Sequence, residues 1–170
     1  MKRQATFVFL VLVTFVSLGA GHGASGLGLS EPDRQDLARW MESHPGYRLA
    51  TENDCNCRDD IDELRRGSGG AWKPQPTYQP YYAQGDFDGN GLLDFAVVVR
   101  DEAQGGASQI LVFLRRSEGH DTQVASKPID RGDLRGFGLF VGTPAGKRTK
   151  LLAGAFGSEG YEVEIPVAPR

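Results

Sequence analysis

The sequence predicts an α+β domain, two N-terminal helices followed by an antiparallel sheet of five or six strands, and three observations carry that prediction. Helical spacing of apolar residues is confined to the region between Ser30 and Gly67. A stretch rich in proline and aromatic residues, "KPQPTYQPYY", then interrupts any regular element. From Phe95 onward, short apolar runs are separated by glycine, aspartate and serine turns. Helices and strands segregated along a chain in this way point to α+β rather than to alternating β-α-β units.

The chain of 170 residues begins with "MKRQATFVFLVLVTFVSLGAGHGASG". A basic tip at Lys2 and Arg3, an unbroken apolar stretch from Phe7 to Val13 that continues to Ala20, and small residues after it read as a secretory signal peptide over 1–24. The alternative is an N-terminal membrane anchor, but the apolar stretch falls short of the ~20 residues a bilayer span needs. The remainder, 25–170, is expected to be a single domain without a membrane span, secreted or periplasmic. Residues 1–24 carry two basic and no acidic side chains, so their removal takes the formal charge from −3 to −5. A mildly acidic product is a poor match for nucleic acid, whose phosphates demand Lys and Arg.

Ser30 is the expected N-cap of the first helix, with Pro32 and Asp33 in its first turn. Leu37, Trp40, Met41 and His44 follow at helical spacing before Pro45 and Gly46. A second helix is expected to begin near 54–56 and end at Gly67, with Cys57, Ile61 and Leu64 on its inner face. The only cysteines, Cys55 and Cys57, are an even pair, and an oxidising compartment favours a disulfide between them. Residues two apart on a helix point to opposite sides, so that bond requires a non-helical turn before the second helix starts. An intermolecular bridge, buried free thiols, or a metal or redox site are the alternatives, the last opposed by Asp54, Asp59 and Asp60, which disfavour thiolate.

Trp72, Tyr78, Tyr81 and Tyr82 either line a groove for a protein or glycan partner or pack their loop onto the sheet. The runs "DFAVVV" and "QILVFL" are apolar on both alternating faces, as in central strands covered on each side. "RDEAQGGAS" can close a hairpin between them. Further strands are expected at "TQVAS", "GFGLFV", "KLLAGAF" and "YEVEI".

The segment "GDFDGNGLLDFAVVV" (85–99) crowds carboxylates directly before a central strand. Counting Asp86 as position 1, side-chain oxygens stand at Asp86, Asp88 and Asn90, glycine at Gly91, a backbone carbonyl at Leu92 and a carboxylate at Asp94. These are ligand positions 1, 3, 5, 7 and 9 of a calcium loop, with the glycine at position 6. A curled chain points alternate residues at its centre, and calcium, a hard ion that takes six to eight oxygens, gives like charges a reason to gather there. The glutamate that closes a helix-loop-helix calcium site at position 12 is replaced by Val97.

With a strand following the loop, "DFDGNGLLDFAVVV" resembles the calcium loops of FG-GAP and VCBS-type repeats. That resemblance implies that the carboxylate of Asp94 completes the coordination sphere. The unit occurs once, so a propeller built of repeated blades is not expected. The longer stretch 69–99 also resembles exported bacterial proteins, which bears on location more than activity.

Candidate chemistry elsewhere is sparse. His120-Asp121 has the order of a base and its orienting acid, but no serine lies in a nucleophile-elbow context. No glycine loop with the lysine of a phosphate-binding loop is present. The expectation is therefore an exported, calcium-stabilised binding or accessory domain of the cell envelope. The competing readings are a small secreted hydrolase using scattered carboxylates or His120, and an inhibitor-type module that binds another protein through the aromatic loop.

Overall fold

The computed structural model describes residues 28–67, 73–103, 105–117, 121–131, 133–144, 146–158 and 160–165. The leader expected at 1–24, together with Trp72 and His120, lies outside the described residues. In chain order the elements are α1 (Glu31–Ser43), β1 (Tyr47–Leu49), α2 (Glu52–Cys55), α3 (Arg58–Arg66), β2 (Tyr82–Gly85), β3 (Asp94–Asp101), β4 (Ala107–Arg115), β5 (Thr122–Pro128), β6 (Phe137–Val141), β7 (Leu151–Ala155) and β8 (Tyr161–Glu162).

The main sheet is antiparallel, has five strands and is organised around β3. One edge of β3 pairs with β4 from Phe95↔Phe113 to Asp101↔Ala107, and β5 continues the sheet beyond β4. The other edge is shared end to end by β2, which pairs Gly85 with Asp94, and β1, which pairs Leu49 with Val99. Val98 closes the seam: its N–H donates to the carbonyl of Tyr81, and its carbonyl accepts from the N–H of Ala50. Neither β1 nor β2 stands out in the sequence, because three or four residues are too few to show a period.

The apolar runs of β3 and β4 are explained by layers on both faces. Phe95, Val97, Val99, Leu111 and Phe113 pack against Leu37 of α1, with Trp40 and Met41 alongside. On the opposite face, Ala96, Val98, Ile110, Val112 and Leu114 meet Ile61 of α3 and Leu139 and Ala153 of a second sheet. That sheet has the order β6-β7-β8, so the later strands form a separate three-stranded layer rather than extending the first sheet. Its approach is close: a Cβ at Gly138 would stand 2.5 Å from the Tyr78 hydroxyl, which leaves room only for glycine.

Ser30 caps α1 as expected, its hydroxyl accepting from the N–H of Asp33 at 3.3 Å. Asp33, expected in the first turn, is buried, and so is Asp36. Asp33 pairs with Arg115 at 2.5 Å, and Asp36 accepts from the Thr122 hydroxyl at 2.7 Å and pairs with Arg39, so α1 is clipped to the ends of β4 and β5. His44 ends the helix as its C-cap and stacks on Trp40 with ring centroids 4.0 Å apart.

The helix expected near 54–56 is split. Asn56 adopts the left-handed conformation (φ 47°), which ends α2 and turns the chain back before α3 begins. That turn brings Cys55 and Cys57 together as a disulfide, with Cα atoms 5.1 Å apart. The same corner holds an ion cluster. Arg48 donates to both oxygens of Asp54 at 2.6 and 2.8 Å and to Glu102 at 2.6 Å, while Arg100 adds a contact to Asp54 at 3.1 Å.

The hydrogen bonds from Arg48, opposed by burial and reinforced by the N–H of Thr51, hold the Asp54 carboxyl far below the usual carboxylate range. Its folded pKa therefore lies below its unfolded value of about 3.9. The linked stability is present above that value and is lost as the pH falls below it. Asp54→Asn is expected to cost roughly 1–3 kcal/mol at pH 7 and to flatten the acid limb, so that the gap between variant and parent is already smaller at about pH 3 and closes only below the folded pKa. Urea unfolding at the two pH values measures this, and an equal difference at both would refute it.

Candidate metal centre

The carboxylate loop connects β2 to β3, and the Gly85↔Asp94 pair closes its neck. Phe87 lies between the first two aspartates and is fully buried in the core on the second-sheet side. This single apolar anchor fixes the loop to the body while its neighbours are free to turn inward. Gly89 and Gly91 have φ of 81° and 89°, a region where a Cβ is strained, and there they aim their N–H groups at Asp86.

The structure brings Asp86, Asp88 and Asp94 together, with one ligand oxygen from each lying within 4.8 Å of the others. Two oxygens on one calcium at 2.3–2.6 Å can be no more than about 5.2 Å apart. The three can therefore share a single ion. Nine-position spacing along the chain has become one centre because the hairpin neck returns Asp94 beside Asp86.

Backbone donors orient each carboxylate. Asp86 accepts from Gly89 N–H at 2.7 Å and from Gly91 N–H at 2.9 Å. Asp94, wholly buried, accepts at 2.8 Å from Phe87 N–H and at 2.8 Å from Arg115 N–H, one on each oxygen. Asp88 accepts from Asn90 N–H at 3.1 Å and pairs with Arg116 at 2.6 Å. An ionised carboxylate has about four lone-pair sites, so these bonds leave capacity for a cation.

Electrostatics favour such a cation. Burial, chiefly, pushes Asp94 up to about 6; the N–H groups of Arg115 and Phe87 pull it down, and the charges of Asp88 and Asp86 push it further up. Arg116 is a tethered cation at one side of the cluster. It was invisible as a partner in the sequence because it lies 28 positions from Asp88.

Asn90 is exposed, its Oδ1 accepting from Leu92 N–H at 2.7 Å and its Nδ2 donating to the Arg115 carbonyl at 2.6 Å. Leu92 is half-buried beside it. Both thus stand in the loop next to the carboxylate triad, with the Asn90 amide tying the loop tip to the end of β4. Val97, at position 12, is buried in β3 opposite Leu111 and is remote from any ligand role.

Of the loop aromatics, Tyr78, Tyr81 and Tyr82 serve the core. Tyr78 and Tyr81 are buried, and the Tyr81 hydroxyl donates to the Leu134 carbonyl at 2.9 Å. Tyr82 pairs with Val97 in β2 and packs on the α1 side. These three therefore do not form an exposed groove, since large rings next to a sheet remove more apolar area from water by packing inward. Among the described residues, no helix is long and apolar enough to cross a membrane.

Comparison with protein-family models, curated proteins and solved structures finds no match to this chain. All donors of the site are oxygens, which suits a hard divalent ion and disfavours the soft metals that select thiolate or imidazole.

Proposed function

We propose that this chain is an exported binding or accessory domain of the cell envelope whose β2–β3 hairpin is stabilised by one calcium ion. The observation that supports the reading is the convergence of Asp86, Asp88 and Asp94 on a common point at the neck of a hairpin anchored by Phe87. The resemblance of the loop to FG-GAP and VCBS-type calcium loops points the same way. Calcium fits better than magnesium because the backbone-oriented carboxylates offer an irregular set of oxygens, whereas magnesium demands near-octahedral geometry and retains its waters. Bound there, the ion supplies charge neutralisation, and the residues Asp86, Asp88 and Asp94 would hold it, with Asn90 and the Leu92 carbonyl as further oxygens. The role is structural: no nucleophile or proton-transfer pair adjoins the cluster among the described residues.

Extracellular calcium modules work with dissociation constants of roughly 0.1–1 mM. At ten times that constant the folded state gains about 1.4 kcal/mol. For a domain of this size the melting temperature is then expected to rise by roughly 3–6 °C. Thermal unfolding with and without about 10 mM calcium, against the same concentration of magnesium, measures it. Asp88→Ala is expected to lose the rise, and a melting temperature unmoved by calcium in the parent would overturn the proposal.

A further inference from the structure

A cleft of about 710 Å³ opens between α3 and the second sheet and shares no lining residue with the carboxylate loop. We propose that it binds a small organic cation, an ammonium group carried on an apolar or aromatic body. This goes beyond the calcium reading and stands or falls separately from it.

The floor is apolar and reaches solvent. Phe140 and Leu152 are cross-strand neighbours, and Phe156 meets Phe140 edge-on, with centroids 5.6 Å apart and planes at 80°. Leu64 of α3 faces them across the cleft, and Val141 at its mouth is 53% exposed. Apolar surface left open in a concavity of a few hundred Å³ is the usual form of a small-molecule site. Phe140 also stacks on Tyr78, with centroids 5.5 Å apart and planes at 18°, so the floor is an aromatic cluster that offers apolar contact to the body of a ligand.

The charge on the wall selects the ligand. Asp60 and Glu63 lie three positions apart on α3, so they neighbour one another on the helix surface, and both line the cleft with Leu64. Both are exposed, and among the described residues neither takes part in an ion pair. No lysine, arginine or histidine is among the described residues that line the cleft. A neutral ligand would use the floor alone, and an anion would meet two like charges. A cation with an apolar body uses both walls.

The test is a chemical-shift titration of the isotope-labelled full chain with three probes of one body: 4-phenylbutylamine, 4-phenylbutan-1-ol and 4-phenylbutyrate. The amine is expected to bind with a dissociation constant on the order of 1 mM, as suits a fragment of this size. Its shifts are expected at Leu64, Phe140, Val141, Leu152 and Phe156. The alcohol is expected to bind about five-fold more weakly and the carboxylate more weakly still. Asp60→Asn with Glu63→Gln, both on an exposed helix face, is expected to bring the amine down to the level of the alcohol and leave the alcohol unchanged. Val141→Arg, at an exposed position, is expected to weaken all amine binding by placing a tethered cation at the mouth. Equal affinity for the three probes, shifts outside the cleft, or no shift at about 10 mM probe would overturn the proposal. So would a concentration-dependent dimer that Val141→Arg disrupts, because the cleft would then belong to a second copy of the chain.

Discussion

Phe87→Ala is expected to lower the unfolding free energy by about 3–5 kcal/mol, a large share of the roughly 5–15 kcal/mol typical of a domain. The ring is fully buried within the core cluster that joins the main sheet to the second sheet, so its removal leaves a cavity lined by both. Relaxation is hindered on one side, because a Cβ at Gly85 would already stand 3.0 Å from the Phe87 ring and 2.9 Å from Thr149. The loss has a second consequence, since Thr149 N–H bonds the Asp86 carbonyl at 2.7 Å and the ring holds that junction in register. Calcium response should therefore fall along with stability in Phe87→Ala, whereas Phe87→Leu keeps most of the volume and should retain both. Urea unfolding with and without calcium distinguishes them. A cost under about 1 kcal/mol for the alanine variant would show that the ring is not the anchor described.

How far the fold could be read from the sequence depended on whether the determining contacts were local. The strands β3 and β4 were readable because burial on two faces leaves a run with no polar position, as in "FAVVV" and "ILVFL". The Ser30 cap was readable because its bond spans three residues. The carboxylate loop was readable as a ligand pattern because its glycines, oxygens and following strand all lie within fifteen residues. By contrast, nothing near Asp33 announces Arg115, which lies 82 positions away, nor does anything near Asp88 announce Arg116. The division of the later strands into a second sheet was equally hidden, because "GFGLFV" and "KLLAGAF" carry the same alternation whether they extend one sheet or cover it. The close approach of the Tyr78 hydroxyl to Gly138 belongs to the same nonlocal packing, and no local pattern announces it.

These nonlocal contacts meet at the end of β4. Arg115 sends its side chain to Asp33 of α1, its N–H to Asp94 and its carbonyl to the Asn90 amide. The next residue, Arg116, reaches Asp88 and Gln123 of β5. Two adjacent residues thus tie the carboxylate loop to the helix and to the edge strand. Neutralising the loop with an ion would relieve repulsion at a point where three elements are already joined.

Asp94→Ala is expected to be nearly as damaging as loss of the Phe87 ring, and for an electrostatic reason. The Asp94 carboxylate is wholly buried and is the acceptor for two backbone donors, Phe87 N–H and Arg115 N–H. Alanine leaves both donors without that acceptor in a buried place, at about 1–3 kcal/mol each, and the total is expected to reach about 2–5 kcal/mol. Asp94→Asn keeps one acceptor oxygen and turns an amide N–H toward the other donor, so its cost should fall between parent and alanine, at about 1–3 kcal/mol. Amide exchange at Phe87 and Arg115 separates this account from a general loss of packing. Both amides should lose protection in the alanine variant, and asparagine should preserve one of the two. If instead both variants keep both amides protected and match the parent in urea, the carboxylate is not what joins the hairpin neck to β4, and the proposed calcium centre loses the ligand that its geometry most depends on.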